Sequence, residues 1–238
     1  LIPILFIIFA SALILTGNRM PMILFVFTIS LIVFFHDQTR KYLLTFLITF
    51  SLFFLFIYNS SEKVKANFDT FYIQISKMAV IAVKGDFNNK NTPQYLKEFS
   101  TFYGTWSMNK YLGGGIKNFR YYCHTRPNIE KNSQFICNMH PHNYYLEILT
   151  ETGLLGMSIV LIIFLQVLYR TFYKKYFTNS SLKFNNLIVP FIFLFIAEIF
   201  PLKSTGSFFT TGNTTYIFLI MAILIGLASK KNSIENKT

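Results

Sequence analysis

The sequence predicts an all-α integral membrane protein: about six transmembrane helices with one large, mostly helical loop on the outer side. Three observations predict it. Hydrophobic residues make up 53% of the chain and charged residues only 13%; the mean hydropathy is +0.43; and the apolar residues gather in six separate runs. A soluble domain shows neither that balance nor that clustering. The net charge of +12 does not indicate a nucleic-acid partner. The Lys and Arg are scattered between the apolar runs, as in the basic short loops of a membrane protein.

The six runs are Leu1–Thr16, Met20–Phe35, Tyr42–Tyr58, Gly153–Tyr169, Leu187–Leu202 and Thr214–Ala228. Each forms about 24 Å of helix at ~1.5 Å per residue. A hydrocarbon core is about 30 Å thick, so flanking turns must lengthen them. One such run could be a buried helix of a soluble core; six could not. The chain opens on Leu-Ile-Pro without an initiator Met, which reads as the C-terminal part of a longer protein. No signal peptide with a small-residue cleavage site is visible.

Orientation follows from the short connections. His36–Lys41 carries Arg40 and Lys41; Arg170–Asn186 carries Arg170, Lys174, Lys175 and Lys183; the tail carries Lys230, Lys231 and Lys237. Six alternating spans put all three on one face, which the positive-inside rule makes cytoplasmic. The expected organisation is therefore three spans over 1–58 with a short outer turn at 17–19, an outer loop domain over 59–152, three more spans over 153–229, and a cytoplasmic tail over 230–238.

Within the loop domain, Phe68–Val83 mixes aromatic and aliphatic residues with few charges. Its period is too untidy to decide between lying on the membrane surface and covering a cavity mouth. Asp86–Thr92 reads as a turn, and Pro93–Asn109 as a helix ending before Gly113-Gly114-Gly115. That glycine run either turns the chain or lets its backbone cradle a phosphate. Cys123 and Cys137 are the only cysteines. An even count on an oxidising face suggests a disulfide, with zinc and free thiols as alternatives because His124, His140 and His142 lie close in sequence.

The most chemical stretch is His140-Pro-His142-Asn143, followed by nine residues and then Gly153-Leu-Leu-Gly156. An imidazole held where a membrane helix begins is more plausibly chemical than structural. Asn143 is placed to cap the following helix, whose positive end would then lie beside the imidazole.

This His-Asn, nine residues, Gly-x-x-Gly pattern resembles the O-antigen ligase and polymerase family. Other stretches agree: Thr16-Gly-Asn-Arg19 looks like its arginine-bearing turn, Gly113-Gly-Gly-Ile-Lys-Asn-Phe-Arg120 like a glycine element before two loop cysteines, and Pro201–Phe209 like its penultimate outer loop. The resemblance implies a multi-spanning glycosyltransferase of the bacterial inner membrane, with the large loop in the periplasm. Its donor would be a polyprenyl diphosphate-linked glycan, and its acceptor either lipid A–core, for a ligase, or a second lipid-linked glycan, for a polymerase. No cofactor is implied, and no Asp pair suited to Mg²⁺ is visible.

Such a transfer needs a base for the acceptor hydroxyl and positive charge for the departing diphosphate. His142 is the candidate base. Arg19 either snorkels to the headgroups or clamps the diphosphate. The family's second arginine, near the start of the helix before the glycines, has no counterpart in Gln94–Phe99. Arg120, which follows Gly113 and Gly115, is the candidate second cation, ahead of Lys97 and Arg126. His140, Asn143 and Glu147 would orient the base or bind the acceptor; Glu147 and Glu151, at i and i+4, share one helix face, and the alternative for both is the wet side of an amphipathic turn entering the bilayer. Two rivals stand: a transporter, suggested by Glu198 and Pro190 inside one span, and a non-enzymatic assembly protein.

Overall fold

In a computed structural model of the chain, residues 2–36, 39–84, 93–126, 137, 142–204 and 206–229 are described. Among them the protein is all-helical, with no strand. Contacts divide it into two compact units, Leu1–Pro93 and Gln94–Thr238. The segment expected to be one loop domain, 59–152, is therefore shared between them.

The first unit holds α1 (Ile2–Leu15), α2 (Arg19–Phe35), α3 (Leu43–Ser60) and α4 (Glu62–Lys84). The turn between α1 and α2 depends on Gly17, whose φ of +67° suits a residue without Cβ. A Cβ there would lie 2.4 Å from the Asn67 amide of α4, so the turn and α4 are in close contact. Between α3 and α4 the chain reverses at Ser61, whose amide still bonds Ile57 O (3.1 Å) and whose carbonyl accepts from Lys65 (2.9 Å). α4 then packs on α3 through Val64, Phe68 and the T-shaped Phe54–Phe68 pair, 5.0 Å between centroids. Tyr58 also donates to Asp69 across this contact. The untidy period of Phe68–Val83 thus resolves as part of one 23-residue helix with charged residues on either side of its packing stripe.

The second unit holds α5 (Gln94–Ser107), α6 (Phe119–Tyr122), α7 (Tyr144–Leu168), α8 (Val189–Glu198) and α9 (Thr211–Ser229). α7 runs on through a π-helical turn, Tyr169–Tyr173, and one more short helix, Lys174–Tyr176. Its core is built from α7, α8 and α9: Ile148, Phe164, Ile192, Phe195, Ile217 and Leu224 are buried together. In lipid such contacts stabilise through packing rather than release of water. A separate cluster sits under α5, where Phe102 stacks on Phe119 at 3.9 Å beside Cys123 and Cys137.

Those two cysteines are joined by a disulfide, with Cα atoms 5.5 Å apart, so neither sulfur is a zinc ligand. Closing a loop of this size stabilises by about 3 kcal/mol in the chain-entropy account. Cys123→Ser is expected to lower the thermal unfolding midpoint in detergent, and dithiothreitol should bring the wild type to the same value. A midpoint unmoved by either treatment would remove the disulfide from the stability of this unit.

Among the described residues, three helices are long and apolar enough to cross a membrane: Arg40–Ser60, Tyr144–Tyr176 and Thr211–Ser229. The other expected spans are shorter. α1 has 14 residues, α2 17 and α8 only 10. α8 stops at Glu198, four residues before the expected end, because the following segment is drawn aside to the start of α7. α7 in turn begins nine residues before the expected Gly153, so the span and the preceding polar turns are one kinked helix.

Candidate functional site at the start of α7

Asn143 has extended backbone (φ −146°, ψ 124°), and its Oδ1 accepts from the amides of Tyr145 and Leu146 at 3.0 and 3.1 Å. This is the N-cap the sequence calls for. The same side chain works in two directions: its Nδ2 donates to Pro201 O at 2.7 Å. The next residues repeat the pattern. The Tyr145 hydroxyl donates to Ile199 O, and the Tyr144 hydroxyl donates to Glu198 Oε1 at 2.8 Å. Glu147 accepts from the Ser207 hydroxyl and from the Phe208 amide. The segment from Glu198 to Phe208 is thus strapped to the first turn of α7, and the partly exposed His142 immediately precedes that turn.

A cation lies within the strap. Lys203 Nζ is 2.5 Å from Glu198 Oε1 and 3.2 Å from the Tyr144 hydroxyl, and it lies over the Tyr144 ring at 4.7 Å. Both charged side chains are largely buried, 14% and 12% exposed. Pairing offsets a desolvation cost that either would bear alone. Glu198, which the sequence offered as an intramembrane charge of a transporter, is instead the anchor of this cluster.

Ten residues after Asn143, α7 breaks. Gly153 has φ +64° and ψ −167°, a conformation open essentially to glycine alone. The break exposes helix-end groups on both sides, and the 110–115 segment satisfies them. Gly114 and Gly115 donate to Thr150 O and Glu151 O, each at 2.9 Å. Lys110 O and Tyr111 O accept from Leu154 and Leu155 at 2.9 and 3.2 Å. A Cβ on Gly113 would sit 2.5 Å from Glu151 C; one on Gly153 would sit 2.3 Å from Tyr111 O. The glycines thus allow two backbones to touch. With the Gly113 amide bonded to Asn109 O, the amides of all three glycines are committed to carbonyls. The phosphate-cradle expectation for Gly113 and Gly115 is corrected accordingly: their amides close a helix break.

Among the other expected site residues, Glu147, Glu151, Arg126 and Arg19 have partners of their own. Glu147 turns inward to the strap rather than toward an acceptor, and Glu151 accepts from the Lys117 amide at 2.7 Å. The wet-face alternative fails for both, since both are buried. Arg120 is exposed on α6. Arg126 is spent on structure: it donates to Cys123 O and Thr101 O at 3.0 and 3.1 Å, and burial lowers its pKa from the ordinary guanidinium value. His140 lies outside the described residues. In the first unit, Arg19 opens α2 with Nη1 donating to Gln74 Oε1 at 3.1 Å and its guanidinium 5.2 Å from the Phe71 ring. Both partners belong to α4, so the arginine is held rather than extended.

Sequence reasoning missed Tyr144, Lys203 and Ser207. The one available signal was the Pro201–Phe209 stretch, whose likeness to an outer loop suggested a place but no role.

The O-Antigen ligase family profile matches residues 4–161, about two thirds of the chain. The match takes in Arg19, His142, Gly153 and Gly156, and ends before the strap. No curated protein and no solved structure matches the chain.

Proposed function

Because the chain belongs to the O-antigen ligase family, an enzyme family of membrane glycosyltransferase type, we propose that it transfers a glycan from a polyprenyl diphosphate carrier to an acceptor hydroxyl at the periplasmic membrane face. The ligase acceptor is lipid A–core. The topology that goes with this reading has six spans, with 59–152 outside and the basic connections inside. The observation that carries it is the placement of His142, on the residue before a helix cap that is itself tied to the Glu198–Phe208 strap.

In the proposed step, an imidazole nitrogen of His142 takes the acceptor hydroxyl proton. The oxygen forms its bond to the anomeric carbon while the bond from that carbon to the phosphate oxygen breaks, with inversion. The electron pair leaves on the diphosphate. Arg19 pairs with that charge and Arg120 is the proposed second cation; guanidinium suits a diphosphate because it bonds two oxygens at once. Holding Arg19 by Gln74 and Phe71 supports this role, since an ordered side chain loses less freedom on binding. Asn143 and the strap position the base.

The test is complementation of a strain lacking surface glycan, at matched membrane levels. His142→Ala is expected to reduce transfer by about 10²- to 10⁴-fold, the usual contribution of a general base, and Arg19→Ala to reduce it strongly. Accumulation of carrier-linked chains that are already elongated identifies a ligase; accumulation of single repeat units identifies a polymerase. Full surface glycan with His142→Ala would favour an assembly protein. Movement of carrier-linked glycan across vesicles without transfer would favour a transporter.

A further inference from the structure

The 110–117 segment leaves an unusual surface once its glycines are accounted for. Its backbone is pinned to α7 on both sides of the Gly153 break, through the amides of Gly114, Gly115, Leu154 and Leu155. Those bonds fix its level along the helix: it sits against the first turn of the apolar run, which continues with exposed Leu155, Ile159 and Ile162 in a candidate membrane span. At that level the segment shows solvent three large apolar side chains, Tyr111, Leu112 and Ile116, 69%, 66% and 61% exposed. The exposed lysines Lys110 and Lys117 bracket them. Trp106, the only tryptophan, closes the cluster by donating its indole N–H to Lys110 O at 3.0 Å.

Apolar side chains this exposed need a cover. Aromatic rings with lysines beside them, at the level where a membrane helix emerges, match the headgroup region, where amphipathic rings sit and ammonium groups meet lipid phosphates. We propose that the 110–117 segment is a bilayer anchor: Tyr111, Leu112 and Ile116 enter the interfacial layer of the leaflet at which α7 begins its apolar run, while Lys110 and Lys117 bind lipid phosphates. The occupant is lipid rather than protein because the Tyr111 carbonyl is bonded to the Leu155 amide, where the exposed apolar side chains of the candidate span begin, and because the flanking charges complement anionic headgroups. The anchor is independent of the transferase reading and stands whatever the chain transfers.

Trp106 is a built-in reporter. The full chain is reconstituted in phosphatidylethanolamine–phosphatidylglycerol vesicles whose acyl chains carry bromine either near the carbonyl end or near the methyl end. Quenching of Trp106 is expected to be about twofold stronger with the shallow bromines, as for an interfacial ring. Placing the reporter at the tip, as Leu112→Trp in a Trp106→Phe background, should shift the emission to the blue and strengthen shallow quenching, while iodide from the aqueous phase quenches poorly. Charge reversal of both lysines to Glu should weaken the lipid quenching of that tip reporter. Two results overturn the proposal: a tip reporter quenched by iodide but not by bromolipid, or one that is blue-shifted yet insensitive to every bromolipid, which would mean that protein covers the patch.

Discussion

Gly153→Ala is expected to cost the protein its second unit. The φ/ψ pair at Gly153 lies where an L side chain is strained by roughly 1–3 kcal/mol, and the added methyl would meet the backbone of Tyr111 and Leu112 at 2.3–2.6 Å. Neither neighbour can yield without breaking the bonds from Leu154 and Leu155. With an overpacking cost of about 1–3 kcal/mol added, the total approaches the lower end of the stability of an ordinary domain, about 5–15 kcal/mol. Gly113→Ala should behave alike, since its Cβ would press on Glu151 and on Gly153 N. Gly226→Ala is the control: nothing lies within 4 Å of its Cβ, and alanine in a helix is neutral or favourable by up to ~1 kcal/mol. The measurement is the yield of monodisperse protein from membranes, with its melting midpoint. A Gly153→Ala protein as abundant and stable as Gly226→Ala would contradict the described break.

The second large effect concerns the strap. Lys203→Met would leave Glu198, only 12% exposed, without its cation. Breaking a buried pair from one side typically costs about 3–5 kcal/mol, whereas removing both charges is often nearly neutral. The double variant Lys203→Met, Glu198→Gln is therefore expected to recover most of the loss, because the amide that replaces the carboxylate still offers an oxygen to the Tyr144 hydroxyl. Melting midpoints of the four proteins give the coupling directly. If the two single losses simply added in the double variant, the pair would not be the feature that holds the strap. Transfer should follow the same order, since the strap is tied to the residues next to His142.

Much of this arrangement could be read from local chemistry. Asn143 was legible as a cap because Asn followed by a helical apolar run is a local signal. Gly17 was legible as a turn between two runs, and the disulfide as an even pair on one side. What escaped reading depends on distant partners. Gly113–Gly115 suggests a phosphate loop as readily as a backbone contact, and only the neighbouring Thr150–Leu155 backbone decides between them. Glu198 reads as the main intramembrane charge until Lys203 folds back onto it, across a turn that ends α8 early. Glu147 reads as a wet-face residue because helical periodicity cannot show that the Ser207–Phe208 segment closes over it. Arg19's partners come from α4, more than fifty residues on, in a stretch whose own period was ambiguous.

The spacing between the cap and the break now acquires a geometric meaning. Tyr144–Thr152 is a rigid pedestal of about two and a half turns, lifting the imidazole about 14 Å beyond the glycine at ~1.5 Å per residue. Deleting a single pedestal residue would lower the histidine by only ~1.5 Å but swing it by about 100° around the axis. Azimuth, far more than height, is what a count of nine preserves.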